Sequence, residues 1–159
     1  MIDRRTLLGS GAAAAAAGLL FGGCSSRASA ARFPVTKTPA QWRQQLGPDR
    51  YRILREAGTE RPYSSPLNAE HRKGTFVCAA CANPLFNSAT KYDSGTGWPS
   101  FFRALPGAVV TRGPRSLFLG TEILCARCGG HLGHVFNDGP RPTGLRYCMN
   151  GLALSFRPA

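Results

Sequence analysis

Cys148 is a single cysteine close to groups that could make its thiol reactive. Arg146 and Asn150 stand two residues to either side of it. If residues 145–149 form a strand, these three side chains project from one face, because side chains alternate along a strand. A cation beside a thiol favours the thiolate, which is the nucleophilic form. The spacing therefore predicts a thiol active site around Cys148.

Two histidines and one acid precede this cysteine in the chain. His131, His134 and Asp138 would supply acid–base groups that work near neutral pH. Residues three apart on a strand point to opposite faces, so a shared role for the two histidines requires a bend, which Gly133 permits. The clustering of these groups near Cys148 favours a functional role over a structural one.

Four further cysteines form two Cys-x-x-Cys pairs, Cys78/Cys81 and Cys125/Cys128. Four thiolates from two such pairs make a closed tetrahedral zinc site of the structural kind. The spacer between the pairs is longer than in a zinc ribbon. Two disulfides, or one thioredoxin-like redox pair, are the alternatives in an exported protein. A thioredoxin-like pair would require a βαβ pattern that this sequence lacks, so we expect structural zinc. Four thiolates already complete the coordination of zinc, so the histidines are not needed as ligands.

The sequence predicts a helix ahead of the strands that position these groups. Residues 38–41, Thr-Pro-Ala-Gln, predict a helix start with a threonine cap and proline at the first helical position. Trp42 and Leu46 lie four apart and predict its buried stripe. Gly47, followed by proline, predicts an interruption, and Gly58 predicts the end of a second short helix.

Beyond residue 74 the pattern changes to short apolar runs separated by Gly and Pro. The predicted strands are 75–78, 108–112, 116–123, 131–136, 145–149 and 151–157. The last run alternates between apolar and polar residues. The sequence predicts a mainly β fold with antiparallel sheets, preceded by one or two short helices.

The beginning of the chain is typical of an export signal, which we assign to residues 1–31. A charged start is followed by a short, Ala-rich apolar stretch that is too weak for a stable membrane span. Adjacent Arg4 and Arg5 suggest the twin-arginine route. Cleavage before Cys24 would make a lipoprotein, whereas cleavage after Ala30 would release a free protein. We expect export to a bacterial periplasm or cell envelope, with a lipid tether if Cys24 is modified.

Residues 32–159 form one predicted domain, long enough for a single core. The whole chain has 20 basic and 8 acidic residues and a net charge of +12. Its arginines are scattered rather than clustered, so we expect no nucleic-acid partner. A zinc-stabilised binding module remains an alternative function, but it leaves Cys148 and the histidines without a role.

Three ordered segments resemble the signature of the B-type peptide-methionine sulfoxide reductases. They are residues 94–101 (SGTGWPSF), 125–136 (CARCGGHLGHVF) and 144–150 (GLRYCMN). The similarity extends from about Thr38 to Phe156. It implies a β-tent-like fold, in which two antiparallel sheets surround the site and a four-cysteine zinc ion lies on the far side.

The resemblance also implies a role for individual residues. Cys148 matches the nucleophile, and Trp98 and Phe136 match substrate-binding aromatic residues. The polar pocket is matched by His131, His134, Asp138, Arg146 and Asn150. The implied reaction is the reduction of methionine-R-sulfoxide, free or in polypeptides, which leaves the nucleophile as a sulfenic acid. We expect a monomer that acts on oxidised protein substrates with an external thiol reductant and needs no organic cofactor.

One position departs from many relatives, which carry a resolving cysteine where this sequence has Thr96. Four cysteines are assigned to zinc, and processing would cap or remove Cys24. The mature chain would therefore keep no second free thiol to react with oxidised Cys148. We predict that an external thiol reduces the sulfenic acid directly.

Overall fold

The structure is a computed structural model that describes residues 33–116 and 120–159. The predicted export signal, including Cys24, lies outside the described residues and stays a prediction. Within the described ranges, no helix is long and apolar enough to span a membrane.

Helix α1, Pro39–Glu56, begins where the sequence predicts. The Thr38 hydroxyl accepts from the Gln41 N–H at 3.3 Å, and the Gln41 side chain accepts from the Thr38 N–H at 2.9 Å. This reciprocal capping box satisfies two backbone donors that a helix start leaves free. Trp42 and Leu46 are 2% and 8% exposed, which confirms the predicted buried stripe.

Two glycines mark the interruption and the end of α1. Gly47 lies at the break inside the helix, and Gly58 follows its last turn. Gly47 has φ 70°, so the helix is broken at the predicted point. The helix ends just before Gly58, close to the predicted point, but Ala57 rather than Gly58 takes the left-handed conformation, with φ 52°. A Cβ on Gly58 would lie 2.9 Å from the Arg52 carbonyl oxygen. Gly58 is therefore suited to a close backbone approach rather than to a left-handed turn.

Two antiparallel sheets follow α1, which confirms the predicted mainly β fold. The strands are β1 Gly74–Cys78, β2 Pro84–Asn87, β3 Lys91–Tyr92, β4 Ser100–Phe101, β5 Val109–Ser116, β6 Gly120–Cys125, β7 His131–Phe136, β8 Arg146–Met149 and β9 Leu154–Pro158. One sheet has the order β2-β1-β9, and the other has the order β3-β4-β8-β7-β6-β5. Short 3₁₀ helices occupy Pro66–Ala69, Ser88–Thr90 and Gly151–Ala153.

Three of the predicted strands are wrong in extent. The predicted strand 108–112 ends too early, because β5 extends from Val109 to Ser116. The predicted strand 116–123 crosses the boundary between β5, which ends at Ser116, and β6, which begins at Gly120. The predicted strand 151–157 begins too early, because residues 151–153 form a 3₁₀ turn whose first N–H groups bind a distant carboxylate. Strands β2, β3 and β4 were not predicted. They are only two to four residues long, so their pairing partners rather than local pattern define them.

Three phenylalanine rings join the two sheets. Phe76 and Phe86 come from the three-stranded sheet, and Phe101 comes from β4 of the six-stranded sheet. The Phe101 ring lies 4.9 Å from Phe76 and 4.3 Å from Phe86, and all three side chains are fully buried. This packing holds the six-stranded sheet, and with it Cys148, against the rest of the core.

Candidate active site

Cys148 lies in the interior of the six-stranded sheet, with a polar residue opposite it on each side. In the strand register it pairs with Ser100 of β4 and with His134 of β7. Directly opposed residues of antiparallel strands project to the same face. The pairing of β7 with β8 therefore brings the thiol and an imidazole together.

A cavity of about 140 Å³ opens at this thiol. It is lined by Thr59, Trp98, Gly133, His134, Phe136, Cys148 and Asn150. The cavity thus combines a thiol, an imidazole, an amide and two aromatic rings. Five of the residues predicted from the sequence meet here, and Thr59 and Gly133 are additional.

A β-bulge brings His131 and His134 to the same side of β7. The register of β6 and β7 shifts so that Ile123 faces Gly133 while its neighbour Leu124 faces His131. The extra residue in β7 changes the phase of the strand. The two imidazole rings lie 5.4 Å apart in an edge-to-face arrangement, so the structure has the bend that a shared role of the two histidines requires. A Cβ on Gly133 would collide with the Cys148 carbonyl oxygen, so only glycine fits between the strands.

His131 lies behind the cavity rather than in its wall. It is 3% exposed, and its Nδ1 lies 2.8 Å from a carboxylate oxygen of Glu122. Glu122 is also bound in a bidentate manner by Arg112, at 2.6 and 2.7 Å. If Nδ1 donates to this carboxylate, Nε2 presents its lone pair, and Nε2 is buried without a partner among the described residues.

The protonation of these groups follows from burial and their partners. Burial acts to raise the pKa of Glu122, but hydrogen bonds from Arg112 and His131 outweigh it, and the pKa is lowered. Burial lowers the pKa of His134, and neighbouring His131 lowers it further. The His134 imidazole therefore has a stronger tendency to give up its proton than an exposed histidine has.

Arg146 and Asp138 form an ion pair beside the cavity. The guanidinium donates to both Asp138 oxygens, at 2.9 and 2.8 Å, and lies 4.2 Å over the Phe136 ring. Hydrogen bonding from Arg146 lowers the pKa of Asp138, whose side chain is 61% exposed. Asp138 does not line the cavity, and both of its oxygens are engaged. It holds Arg146 in place on the Cys148 side of β8.

Three hydroxyl groups extend from the thiol into the loop before β4. Thr96 Oγ1 lies 3.7 Å from Cys148 Sγ and 2.8 Å from Ser94 Oγ. Ser94 Oγ lies 2.7 Å from the Ser100 hydroxyl, which is fully buried. Thr96 is therefore the loop residue whose side chain contacts the thiol.

Backbone groups at residue 60 hold two side chains of the cavity wall. The Trp98 indole N–H donates to the Glu60 carbonyl at 3.2 Å. The Glu60 N–H donates to Asn150 Oδ1 at 3.0 Å, and the Asn150 amide donates to the Leu132 carbonyl at 3.3 Å. Trp98 is thus held in a loop at the cavity and is not a residue of the buried core.

The four paired cysteines converge at the ends of β1 and β6. Their sulfur atoms all lie within 4.8 Å of one another, with Cys78 and Cys128 at 3.7 Å and Cys81 and Cys125 at 3.6 Å. These separations are far too long for disulfides, whose bond is about 2.05 Å, so that alternative is wrong. They fit the edges of a tetrahedron of sulfur around one ion, which are roughly 3.8 Å for a 2.3 Å metal–sulfur bond.

The four thiols lie close enough for neighbouring thiols to shift one another's pKa values. Hydrogen bonding from Cys128 lowers the pKa of the Cys125 thiol. Hydrogen bonding to Cys125, in turn, raises the pKa of the buried Cys78 thiol. A bound divalent ion would replace these protons, since metal binding requires thiolates. The four side chains can therefore hold a metal ion.

Comparison with known proteins identifies the family. Residues 46–158 match the model of the SelR domain. The peptide methionine sulfoxide reductase MsrB of Leptospira interrogans serogroup Icterohaemorrhagiae serovar Lai is 53% identical over 127 residues, covering 79% of this chain and 97% of the relative. The MsrB of Agrobacterium fabrum is 56% identical over 126 residues, covering 78% and 93%. This chain belongs to the MsrB family.

The sequence of this MsrB family member did not reveal Glu60 or Glu122. Each is an ordinary acidic residue in the sequence, and no local motif marks it. The partner of Glu60 is Asn150, which is distant in the sequence. The partner of Glu122 is His131, which lies on the other strand of the β6–β7 hairpin. The chain has only 8 acidic residues, so each can be considered individually as a candidate for a specific role. Burial of Glu60, which requires specific partners, becomes visible only in the structure.

Proposed function

We propose that this protein reduces methionine-R-sulfoxide to methionine, both in polypeptides and as the free amino acid, with Cys148 as the nucleophile. The observation that carries this proposal is the small cavity in which the Cys148 thiol lies among Trp98, His134 and Asn150. Its volume of about 140 Å³ suits a single side chain. Membership of the MsrB family supports the reaction class.

The first chemical step is a two-electron transfer between sulfur atoms. The Cys148 thiolate attacks the sulfoxide sulfur, and His134 gives a proton to the sulfoxide oxygen. The oxygen ends on Cys148 as a sulfenic acid, and methionine leaves with its sulfur reduced by two electrons. The thiolate, the sulfoxide and one proton thus become a sulfenic acid and a thioether.

The surrounding residues orient the reactants. Arg146, fixed by Asp138, places a guanidinium group on the Cys148 side of β8. The Trp98 and Phe136 rings receive the methyl group and the side-chain stem of the substrate. The Asn150 amide lies in the cavity wall and contributes to the polar environment of the sulfoxide oxygen. His131 lies behind the cavity and contacts the reactants only through the His134 ring, 5.4 Å away.

The second half of the cycle uses an external thiol. Thr96 contacts the Cys148 sulfur, and the other four cysteines of the described residues belong to the metal cluster. Two external thiols reduce the sulfenic acid to the thiol, releasing water and forming one external disulfide. This scheme requires no intramolecular disulfide.

The metal ion that we propose for the four-cysteine cluster is structural Zn²⁺. Cys78, Cys81, Cys125 and Cys128 would hold it, and zinc would supply folding free energy by joining two segments that are distant in sequence. The cluster includes no open position for a substrate, because four protein ligands complete the tetrahedron.

We also propose that the protein is exported by the twin-arginine route and acts in the bacterial periplasm or cell envelope. Support comes from residues 1–31, with Arg4 and Arg5 ahead of a short apolar stretch. Mass spectrometry of the mature N-terminus tests this proposal. A lipid-bearing Cys24 would show a tether, and a chain beginning at Ala31 would show a free protein. An unprocessed N-terminus in the native cell would contradict it.

The Cys148→Ser variant tests the proposed nucleophile. We expect loss of methionine-R-sulfoxide reduction with dithiothreitol as the electron donor, while metal content and melting temperature stay at wild-type values. The S epimer is the control substrate and should not be reduced by either protein. Substantial activity of the variant would contradict the assignment, and an inactive wild type would contradict the function itself.

A further inference from the structure

Glu60 is a buried acid that the proposed chemistry does not use. It follows α1 and is 5% exposed. No cation forms an ion pair with it among the described residues, so charge pairing does not explain its burial. We propose that Glu60 is a positioning residue of the reductase, which sets Trp98 and Asn150 around the thiol. This inference rests on the function proposed above.

The Glu60 carboxylate binds the backbone directly after β8. One oxygen accepts from the Gly151 N–H at 2.5 Å, and the other accepts from the Leu152 N–H at 2.9 Å. These are the first N–H groups of the 3₁₀ turn Gly151–Ala153, where Asn150 makes no side-chain capping bond. Glu60 therefore caps this turn from a distant part of the chain, with charge-assisted hydrogen bonds.

The same residue uses its backbone to hold the cavity wall. Its N–H binds Asn150 Oδ1, and its carbonyl accepts the Trp98 indole N–H. A shift of this backbone would move two of the groups that line the cavity with Cys148. The carboxylate anchors that backbone, because its two bonds restrain the side chain and hence the peptide groups on either side.

The Glu60 contacts also orient the Asn150 amide. With Oδ1 accepting from the Glu60 N–H, the amide nitrogen turns toward the Leu132 carbonyl, next to the β7 bulge. Gly151 itself is closely packed, since an added Cβ there would collide with the Ser65 hydroxyl. Loss of the carboxylate therefore leaves the buried Gly151 N–H and the part-buried Leu152 N–H without this acceptor and removes the restraint on Asn150.

These contacts are separate from the features that hold the fold together. The metal cluster lies at the ends of β1 and β6, and the phenylalanine contacts lie between the two sheets. Glu60 makes hydrogen bonds with neither group. A change at Glu60 is therefore expected to act on the cavity more than on metal binding.

The test compares Glu60→Gln with Glu56→Gln in the full, metal-loaded protein. Glu56 lies at the end of α1, and its side chain is 52% exposed, so the same substitution there is a matched control. Glutamine keeps the volume of Glu60 but replaces one acceptor oxygen by an amide donor. We expect kcat/KM for methionine-R-sulfoxide to fall at least tenfold in Glu60→Gln and by less than twofold in Glu56→Gln.

A double variant separates positioning from general destabilisation. If Glu60 acts through Asn150, the losses in kcat/KM of Glu60→Gln and Asn150→Ala should not multiply in the combined variant. The alkylation rate of Cys148 by iodoacetamide should stay within twofold of wild type, because the thiol itself is not displaced. Glu60→Asp, which keeps the charge, should regain part of the activity and provides the comparison if Glu60→Gln folds poorly.

Two results would overturn the inference. One is wild-type kcat/KM in folded, metal-loaded Glu60→Gln or, if that variant does not fold, in Glu60→Asp. The other is full multiplication of the two losses in the double variant. An inactive wild-type protein is a different outcome, because it would refute the proposed function.

Discussion

His134 lies directly opposite Cys148 across the β7–β8 register, and both side chains line the same small cavity. His131, three residues earlier, is instead buried against Glu122. The two histidines therefore differ in access to a substrate, although the sequence presents them as equivalent. This difference assigns proton donation to His134 in the proposed reaction.

The first prediction concerns this proton donor. His134→Gln should lower the single-turnover rate of methionine-R-sulfoxide reduction by about 100-fold or more, the lower end of the range for loss of a general acid. Rapid quenching after mixing with one equivalent of substrate measures the rate. His71→Gln, a change of an exposed histidine, is the control and should retain the wild-type rate. A rate within threefold of wild type for His134→Gln would exclude it as the donor.

A second prediction concerns stability against pH. Burial lowers the folded-state pKa of His134 below its ordinary value of about 6.5, so the unfolded chain binds the proton more readily. Stability from this residue is complete above about 6.5 and is lost as the pH falls from there toward the lower folded-state pKa. Urea unfolding of metal-loaded protein at about pH 7.5 and pH 5.5 should thus show a smaller loss for His134→Gln than for wild type. Equal losses would contradict the prediction.

The third prediction concerns the acid behind His131. Glu122→Gln preserves size but removes the carboxylate that faces His131 Nδ1. We expect kcat/KM to fall about tenfold, by analogy with the lower end of the loss when the carboxylate partner of a metal-bound histidine is removed. Nitrogen NMR of the His131 ring should show a changed balance of tautomers. Arg112→Gln, which leaves the Glu122–His131 contact in place, should have a smaller effect. Unchanged tautomers in Glu122→Gln would contradict this role.

The fourth prediction concerns the metal cluster. Cys128→Ser should yield protein that is insoluble or strongly destabilised and that lacks zinc, because metal binding contributes folding free energy. Elemental analysis and thermal unfolding measure both effects. Cys148→Ser, which changes a cysteine outside the cluster, is the matched control. A wild-type melting temperature for Cys128→Ser would show that the cluster is not a structural metal site.

The fifth prediction concerns oxidised Cys148. After one equivalent of methionine sulfoxide, wild-type protein should gain one oxygen on Cys148, as seen by mass spectrometry with a sulfenic-acid trap. Thr96→Cys should instead become two hydrogens lighter, since residue 96 contacts the Cys148 sulfur. Ser94→Cys, one hydroxyl further from the thiol, should behave like wild type. Loss of two hydrogens with release of zinc in wild type would show that a cluster cysteine resolves instead.

Local sequence was sufficient for features that depend on near neighbours. The capping box at Thr38 and Gln41, the break at Gly47 and the spacing within each Cys-x-x-Cys pair are encoded within a few residues. The alternation around Cys148 also identified the strand that carries it. These predictions succeeded because helix caps, left-handed turns and strand faces are set by local backbone geometry.

Tertiary structure alone decided which groups meet. The alternating residues 151–157 suggested one strand, but the Glu60 carboxylate captures the first two N–H groups and forms a turn there. The bulge in β7 brings the His131 and His134 rings to within 5.4 Å of each other, although the two residues are three apart on a strand. Register, bulges and buried hydrogen bonds depend on pairing between segments far apart in the chain, and these partners cannot be read from local periodicity.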